Sequence, residues 1–291
     1  MAPGEGGAGA VKRLLAATDL SPRSDRALDR AARLARQWGA ELTVLHVVDD
    51  DLPASLADRR RSEAELEIRR HLAALPDAGG SKAKVEVVYG QGFAGIIRVA
   101  EEREADLVVL GTHRESGLRD IFVGTTVERV LRHGGRPVLL VRDRAPEPYR
   151  RVLIAVDFSV YSRRALEFAF RFAPDGEFHI VHAYDVPFSG LLGADPRGEP
   201  GKRQARSFQR MVSEEMDAFL AGFGGAHPHV TRIVRQGAVT DIVAEEVASL
   251  RAQLLVVGTH GRTGVAHALL GSVAGSLMKR PPCDVLAVRA W

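Results

Sequence analysis

The chain has little sulfur chemistry and no long apolar stretch. Among its 291 residues there is one cysteine, Cys283. A single cysteine cannot close an internal disulfide, which excludes a disulfide-built secreted scaffold. No apolar run approaches the ~18 residues that a membrane-crossing helix needs. Met1–Ala10 is small and glycine-rich, without a basic patch followed by an apolar core, and reads as a loose tail instead of a signal peptide. The expected compartment is the cytoplasm, with no membrane partner. No G-x-x-x-x-G-K-[ST] loop and no G-x-S-x-G elbow occurs, which argues against a P-loop NTPase and an α/β hydrolase. Charge of one sign is also missing: 40 basic and 37 acidic residues leave a formal charge of +3. The bases are scattered among acids and form no stripe, so no specific nucleic-acid partner is expected.

What is present is a repeat. Arg13-Leu-Leu-Ala-Ala-Thr-Asp19-Leu-Ser returns as Arg151-Val-Leu-Ile-Ala-Val-Asp157-Phe-Ser. Leu45-His-Val-Val-Asp49 returns as Val181-His-Ala-Tyr-Asp185, and Leu107-Val-Val-Leu-Gly-Thr-His113 as Leu254-Leu-Val-Val-Gly-Thr-His260. Pro137-Val-Leu-Leu-Val-Arg142 returns as Asp284-Val-Leu-Ala-Val-Arg289. The offset drifts only from 138 residues at Asp19/Asp157 to 147 at Gly124/Gly271. Ordered matches with so little drift mark two copies of one domain, over 11–143 and 151–290. The segment between them holds two prolines and suits a short, stiff linker.

In copy one, apolar runs near 13–18, 41–48, 83–88, 106–111 and 137–142 alternate with amphipathic stretches near 22–38, 55–75, 93–104 and 124–134. Runs apolar on both faces fit buried parallel strands. The expected fold class is α/β: two Rossmann-like, doubly wound domains, each with a five-stranded parallel sheet of order 3-2-1-4-5. Copy two adds a long loop from Val186 to Gln204, expected to be mobile.

Ligands of such sheets lie beyond the carboxyl ends of the strands. Asp19 and Asp157 stand there after the first strand of each copy. Each can accept hydrogen bonds from ribose hydroxyls, or cap the following helix; the residues alone leave both readings open. After the fourth strand, copy two reads Gly258-Thr-His-Gly261, then nine residues, then Gly271-Ser272 at the start of a helix. Glycines admit close approach of a phosphate, and free N–H groups at a helix start favour an anion. Copy one keeps the spacing at Gly111, Gly124 and Thr125 but has Arg114 at the middle position. A Cβ there can block the approach or the required φ, whereas its guanidinium can reach a phosphate; weakened binding is the favoured reading.

The histidines are weighed against function. His113 and His260 could contact phosphate or bind metal, but read as solvated or loop-packing groups, and His46 and His182 read as satisfied core histidines in strands. His227-Pro-His229 has no accompanying carboxylate or cysteine cluster, so no metal site is expected. Cys283 reads as packing.

These motifs resemble the universal stress protein family, and the resemblance runs from about residue 11 to 290. It implies an ATP-binding, regulatory stress-response module without metabolic catalysis, with Mg²⁺ a companion ion of ATP. It implies ribose contact by Asp157 and Asp19 and adenine contact by the backbone at Ala183 and Val47. The phosphates then lie against Gly258, Gly261, Gly271 and Ser272, with Gly111, Gly124 and Thr125 as the copy-one counterparts. It also implies pairing of the two domains through their last strands, with a homodimer of the whole chain as a further option. The alternatives are a slow ATPase or nucleotidyl transferase and a nucleotide-free dimerisation scaffold.

Overall fold

The computed structural model describes residues 11–75, 83–112, 126–143, 147–184, 199–223, 230–261 and 270–289. Copy one runs β1 (Arg13–Ala17), α1 (Pro22–Trp38), β2 (Glu41–Val48), α2 (Ala54–Ala74), β3 (Lys84–Tyr89), α3 (Gly92–Glu102), β4 (Leu107–Gly111), α4 (Thr126–His133) and β5 (Val138–Val141). Copy two runs β6 (Arg151–Ala155), α5 (Val160–Phe172), β7 (Glu177–Tyr184), α6 (Glu199–Ala221), β8 (Val230–Gln236), α7 (Val239–Leu250), β9 (Leu254–Gly258), α8 (Ser272–Lys279) and β10 (Asp284–Val288). Copy-one bounds agree with the apolar and amphipathic pattern to within about two residues, because buried parallel strands announce themselves by uninterrupted Leu and Val. One expectation fails. The loop expected to reach Gln204 ends earlier, since α6 begins at Glu199. Proline in the first helical turn sacrifices no hydrogen bond, so Pro200 starts the helix where it was read as a loop residue.

Each half has strand order 3-2-1-4-5, as expected. The halves are joined into one ten-stranded sheet, β3-β2-β1-β4-β5-β10-β9-β6-β7-β8. All pairs within a half are parallel, and β5 meets β10 antiparallel through Val138↔Ala287, Leu139↔Leu286 and Leu140↔Val285. Pairing of the last strands removes two edges that would otherwise attract other chains. It also turns the carboxyl ends of the two halves to opposite ends of the sheet.

Alternate residues of each strand feed two cores. Leu14 and Ala16 pack with α1, α2, α5 and α6, whereas Leu15 and Ala17 pack with α3, α4, α7 and α8; both layers run continuously across the seam. On the first face Trp38 of α1 meets Phe172 of α5 edge-on at 5.0 Å. The seam also carries a buried polar cluster. Tyr149 donates to Asp284 Oδ2 at 2.6 Å, and the Arg142 and Asp143 amides donate to Oδ1 at 2.8 and 3.1 Å. Arg30, only 3% exposed, lays its guanidinium 4.3 Å from the Tyr149 ring centre and donates to the Glu147 carbonyl at 2.9 Å. Burial raises the Asp284 pKa, and the hydrogen bonds from Tyr149 and the two amides only partly offset it. Cys283 is buried, and its thiol is pushed up to about 12 by that burial and by Asp284, as befits a packing residue. Among the described residues no helix is long and apolar enough to cross a membrane.

Candidate functional site

At the end of β1 and of β6 the chain makes the same turn twice. Asp19 Oδ1 accepts the Ser21 N–H at 3.0 Å, and Asp157 Oδ1 accepts the Ser159 N–H at 3.1 Å. The residues enclosed, Leu20 and Phe158, both take φ of 62°. That left-handed conformation costs a non-glycine residue about 1–3 kcal/mol, and such strain concentrates at functional turns. The helix caps are the next residues along. Ser21 Oγ accepts the Ser24 N–H at 3.4 Å, and Ser159 Oγ accepts the Ser162 N–H at 3.2 Å. The N-cap is therefore serine in both copies, and the aspartate closes an Asx turn ahead of it.

In copy two Ser162 Oγ accepts the Asp157 amide at 2.9 Å and donates to Asp157 Oδ1 at 2.5 Å. Both donors thus hold Oδ1, and Oδ2 is the oxygen that faces Gly261. A Cβ built on Gly261 would lie 2.9 Å from Asp157 Oδ2. A side chain at the middle position would have to displace the Asp157 carboxylate. The Gly261 φ is not in the left-handed region, so the conformational reason considered from the sequence does not apply. In copy one burial pushes the Asp19 carboxyl upward, but hydrogen bonds from the Ser21 and Ser24 side chains and the Ser21 amide outweigh it and hold the pKa below the ordinary range.

The glycines at the ends of β4 and β9 have a packing reason. A Cβ on Gly111 would lie 2.8 Å from the Arg23 carbonyl oxygen, and one on Gly258 would lie 3.1 Å from the Tyr161 carbonyl carbon. Both glycines let the first turn of the helix that follows β1 or β6, α1 or α5, sit on the strand end. The loop after β9 closes on itself: the Gly271 N–H donates to the Thr259 carbonyl at 2.8 Å. This brings the start of α8 at Ser272 beside Gly261, whose amide nitrogen is 3.9 Å from a Cβ built on Gly271. The first N–H groups of α8 precede any helical acceptor and point out of its start. His260 is buried beside Tyr161, with ring centres 5.0 Å apart and Nδ1 2.9 Å from Thr259 Oγ1. Burial, then the nearby Arg289, lowers its pKa. It packs the loop, as expected.

The strand histidines lock the adjacent wall. His46 Nδ1 donates to the Thr18 carbonyl at 2.8 Å and His182 Nδ1 to the Val156 carbonyl at 2.7 Å. The last rungs of the β1–β2 and β6–β7 ladders are Thr18 N–H to Leu45 O and Val156 N–H to Val181 O, both at 2.9 Å. In a parallel pair alternate residues face the same neighbour, so the backbones of Val47 and Ala183 face the β1 or β6 side one step further on. There the first strand has already turned away, and the histidine has taken the carbonyl that would have extended the ladder. Of the two, Val47 lines a cleft beyond the strand ends.

In copy one these parts enclose a cleft of about 200 Å³ lined by Asp19, Val47, Gly111 and Thr126, with His46 and Ser24. A second cleft, about 220 Å³, lies between α1, α2 and the amino end of β3, and is mostly apolar, with Leu72, Leu75 and Val85 on its walls. Of the sequence-predicted residues, the structure gathers Asp19, Val47 and Gly111 in copy one. In copy two it sets Asp157 against Gly261, joins Gly258 and Gly271 to the same loop, and leads into α8 at Ser272. Gly124 and Thr125, with Arg114 and His113, lie outside the described residues, as do His227 and His229. The Ser24 and Ser162 hydroxyls were missed. Their only signal was a serine three residues after the capping serine, a pattern easily read as ordinary helix start.

The universal stress protein family matches the chain twice, at residues 10–142 and 148–289. Similar proteins include the universal stress protein E homolog of Haemophilus influenzae, 27% identical over 96% of this chain and 97% of that protein. A universal stress protein of Mycobacterium tuberculosis is 28% identical over 93% of this chain and 95% of its own length. Among solved structures, a universal stress protein from Archaeoglobus fulgidus superposes with a TM-score of 0.68 at 23% identity, covering 95% and 98% of the two chains, a likeness of fold. Two consecutive family matches over nearly the whole chain, on two halves that build the same turn, lock and glycine contact, make this chain a tandem member of the universal stress protein family.

Proposed function

We propose that the chain is an adenine-nucleotide-binding regulatory module, with ATP held most tightly by copy two. The observation that carries the reading is the close approach of the Gly261 backbone to the Asp157 carboxylate, where a Cβ would lie 2.9 Å from Oδ2. A bare glycine backbone beside a turn-held carboxylate and a helix start sets an acceptor for ribose hydroxyls next to amides that can face phosphates. Asp157 would accept from ribose hydroxyls through Oδ2. The backbone of Ala183 would meet the adenine edge. Gly261, Gly271 and the first N–H groups of α8 at Ser272 would hold the phosphates. In copy one Asp19, Val47 and Gly111 would serve in the same way with lower affinity, with Gly124 and Thr125 at the phosphates. Mg²⁺ enters as the counter-ion of the triphosphate, and no described residue is assigned to it.

Binding is favoured over hydrolysis because the groups nearest the loop are already engaged: Asp157 Oδ1 by Ser159 and Ser162, and His260 Nδ1 by Thr259. Titration calorimetry with ATP on wild type and Asp157→Ala tests the reading. Loss of a charged acceptor of this kind costs roughly 1.5–3 kcal/mol, so affinity at copy two falls at least about tenfold. Equal affinity of the two proteins removes the ribose role, and ADP accumulating during incubation replaces the module by a slow ATPase.

A further inference from the structure

The repeat-related arginines Arg142 and Arg289 each follow the last strand of their own copy, and each crosses the seam. Arg289 Nη1 donates to the carbonyls of Arg132 at 3.0 Å and Gly134 at 2.7 Å. Those carbonyls terminate α4, where a cation also meets the negative end of the helix dipole. Gly134 is suited to the bend: a Cβ there would lie 2.6 Å from the Val130 carbonyl oxygen, so only glycine leaves its own carbonyl so placed. The other end of α4 begins at Thr126, which with Val127 lines the copy-one cleft. On its own side, Arg289 directly follows Val288, whose carbonyl accepts the Thr259 N–H at 3.0 Å at the root of the copy-two glycine loop. Arg142 makes the reciprocal but lighter contact, to the Pro282 carbonyl beyond the end of α8. It is exposed, whereas Arg289 is half-buried and holds two carbonyls.

We infer that Arg289 is a positioning residue that couples the two sites: it fixes α4, and through it the copy-one cleft, to the strand end that carries the copy-two loop. The inference rests on the nucleotide-binding reading above and adds that the sites are not independent, although they open at opposite ends of the sheet. A helix held at one end and lining a site at the other is a contiguous packed element through which coupling can travel. α4 also touches α8, so the two loop-following helices are packed together.

The test is calorimetry with ATP on the full chain, for wild type, Arg289→Met and Arg289→Lys, with Asp19→Ala and Asp157→Ala assigning each isotherm to its copy. Coupling energies between sites are typically 5–150-fold in affinity. Arg289→Met is expected to weaken the copy-one isotherm about fivefold or more and to abolish the reciprocal effect of ATP at one copy on the affinity of the other. Arg289→Lys, whose ammonium can still donate to both carbonyls, restores most of the loss. Hydrogen exchange of the α4 amides rises in the Met variant and not in the Lys variant. Unchanged copy-one affinity, or an equal fall at both sites with a lower melting temperature, overturns the coupling and makes Arg289 merely structural. A wild type with one isotherm overturns it too, yet leaves nucleotide binding by copy two standing. A wild type that binds no ATP overturns the nucleotide reading itself, and the coupling with it.

Discussion

Gly261→Ala puts one carbon where the account says none fits. The new Cβ would lie 2.9 Å from Asp157 Oδ2, inside the contact distance at which something must shift. Asp157 cannot swing freely, because Oδ1 is held by the Ser159 N–H at 3.1 Å and the Ser162 hydroxyl at 2.5 Å. If the carboxylate yields, it gives up at least one charge-assisted hydrogen bond, roughly 1.5–3 kcal/mol. If the loop yields instead, one methyl of overpacking costs about 1–3 kcal/mol. Either route moves the carboxylate or the loop away from where a ribose and phosphates would sit. ATP affinity should fall about tenfold or more, since 1.4 kcal/mol is a factor of ten. Calorimetry measures the affinity, and scanning calorimetry the stability. A double-mutant cycle with Asp157→Ala isolates the contact, since deleting the carboxylate removes what the methyl collides with. The expected coupling is at least about 1 kcal/mol in folding stability, the size found for residues in contact. Wild-type affinity and wild-type melting in Gly261→Ala would refute the reasoning, and with it the argument that Arg114 handicaps copy one.

Gly111→Ala should destabilise more than Gly258→Ala, because its Cβ meets the Arg23 backbone at 2.8 Å where the other meets Tyr161 backbone at 3.1 Å; urea unfolding should rank them in that order, the first costing about 1–3 kcal/mol. Tyr149→Phe leaves the buried Asp284 Oδ2 without its 2.6 Å donor, and should cost about 1–3 kcal/mol, read as a lower denaturant midpoint. Asp19 has a folded pKa below the ordinary 3.8. A depressed acid stabilises the fold above its unfolded pKa and loses that contribution as pH falls through the folded value. Asp19→Asn should therefore flatten the loss of stability below pH 3.8 while being the less stable protein at neutral pH; identical pH profiles would contradict the hydrogen-bonded turn.

The fold was legible because the chain states it twice. Leu107–Leu110 and Leu254–Val257 are unbroken apolar runs after helical stretches, whereas the pairing of the last strands was implied by the family resemblance, since each half has two edges and the residues do not say which one pairs. The Asp19 and Asp157 turns were legible in part. The acid's place at a strand end could be read, but not that Ser21 and Ser159 take the cap and leave the aspartate to the turn, since Asp and Ser cap helices equally well. The seam was opaque. Arg30 lies within an Arg-rich helix whose other arginines are all less buried than it is, and Tyr149 is one residue of a linker. That they meet Asp284 depends on contacts more than 130 residues apart in sequence, which periodicity does not encode. Pro200 misled in the opposite sense, because proline marks both a loop and a first helical turn.

The claim at the centre of this account is that copy two holds an adenine nucleotide between Asp157 and the Gly261 loop. Titration of the purified full chain with ATP, beside Gly261→Arg, which imports the side chain that copy one carries at this position, tests it most directly. The account predicts saturable binding by the wild type and at least about a tenfold loss in the variant, 1.4 kcal/mol or more. Equal affinities, or no heat of binding in the wild type, would contradict it.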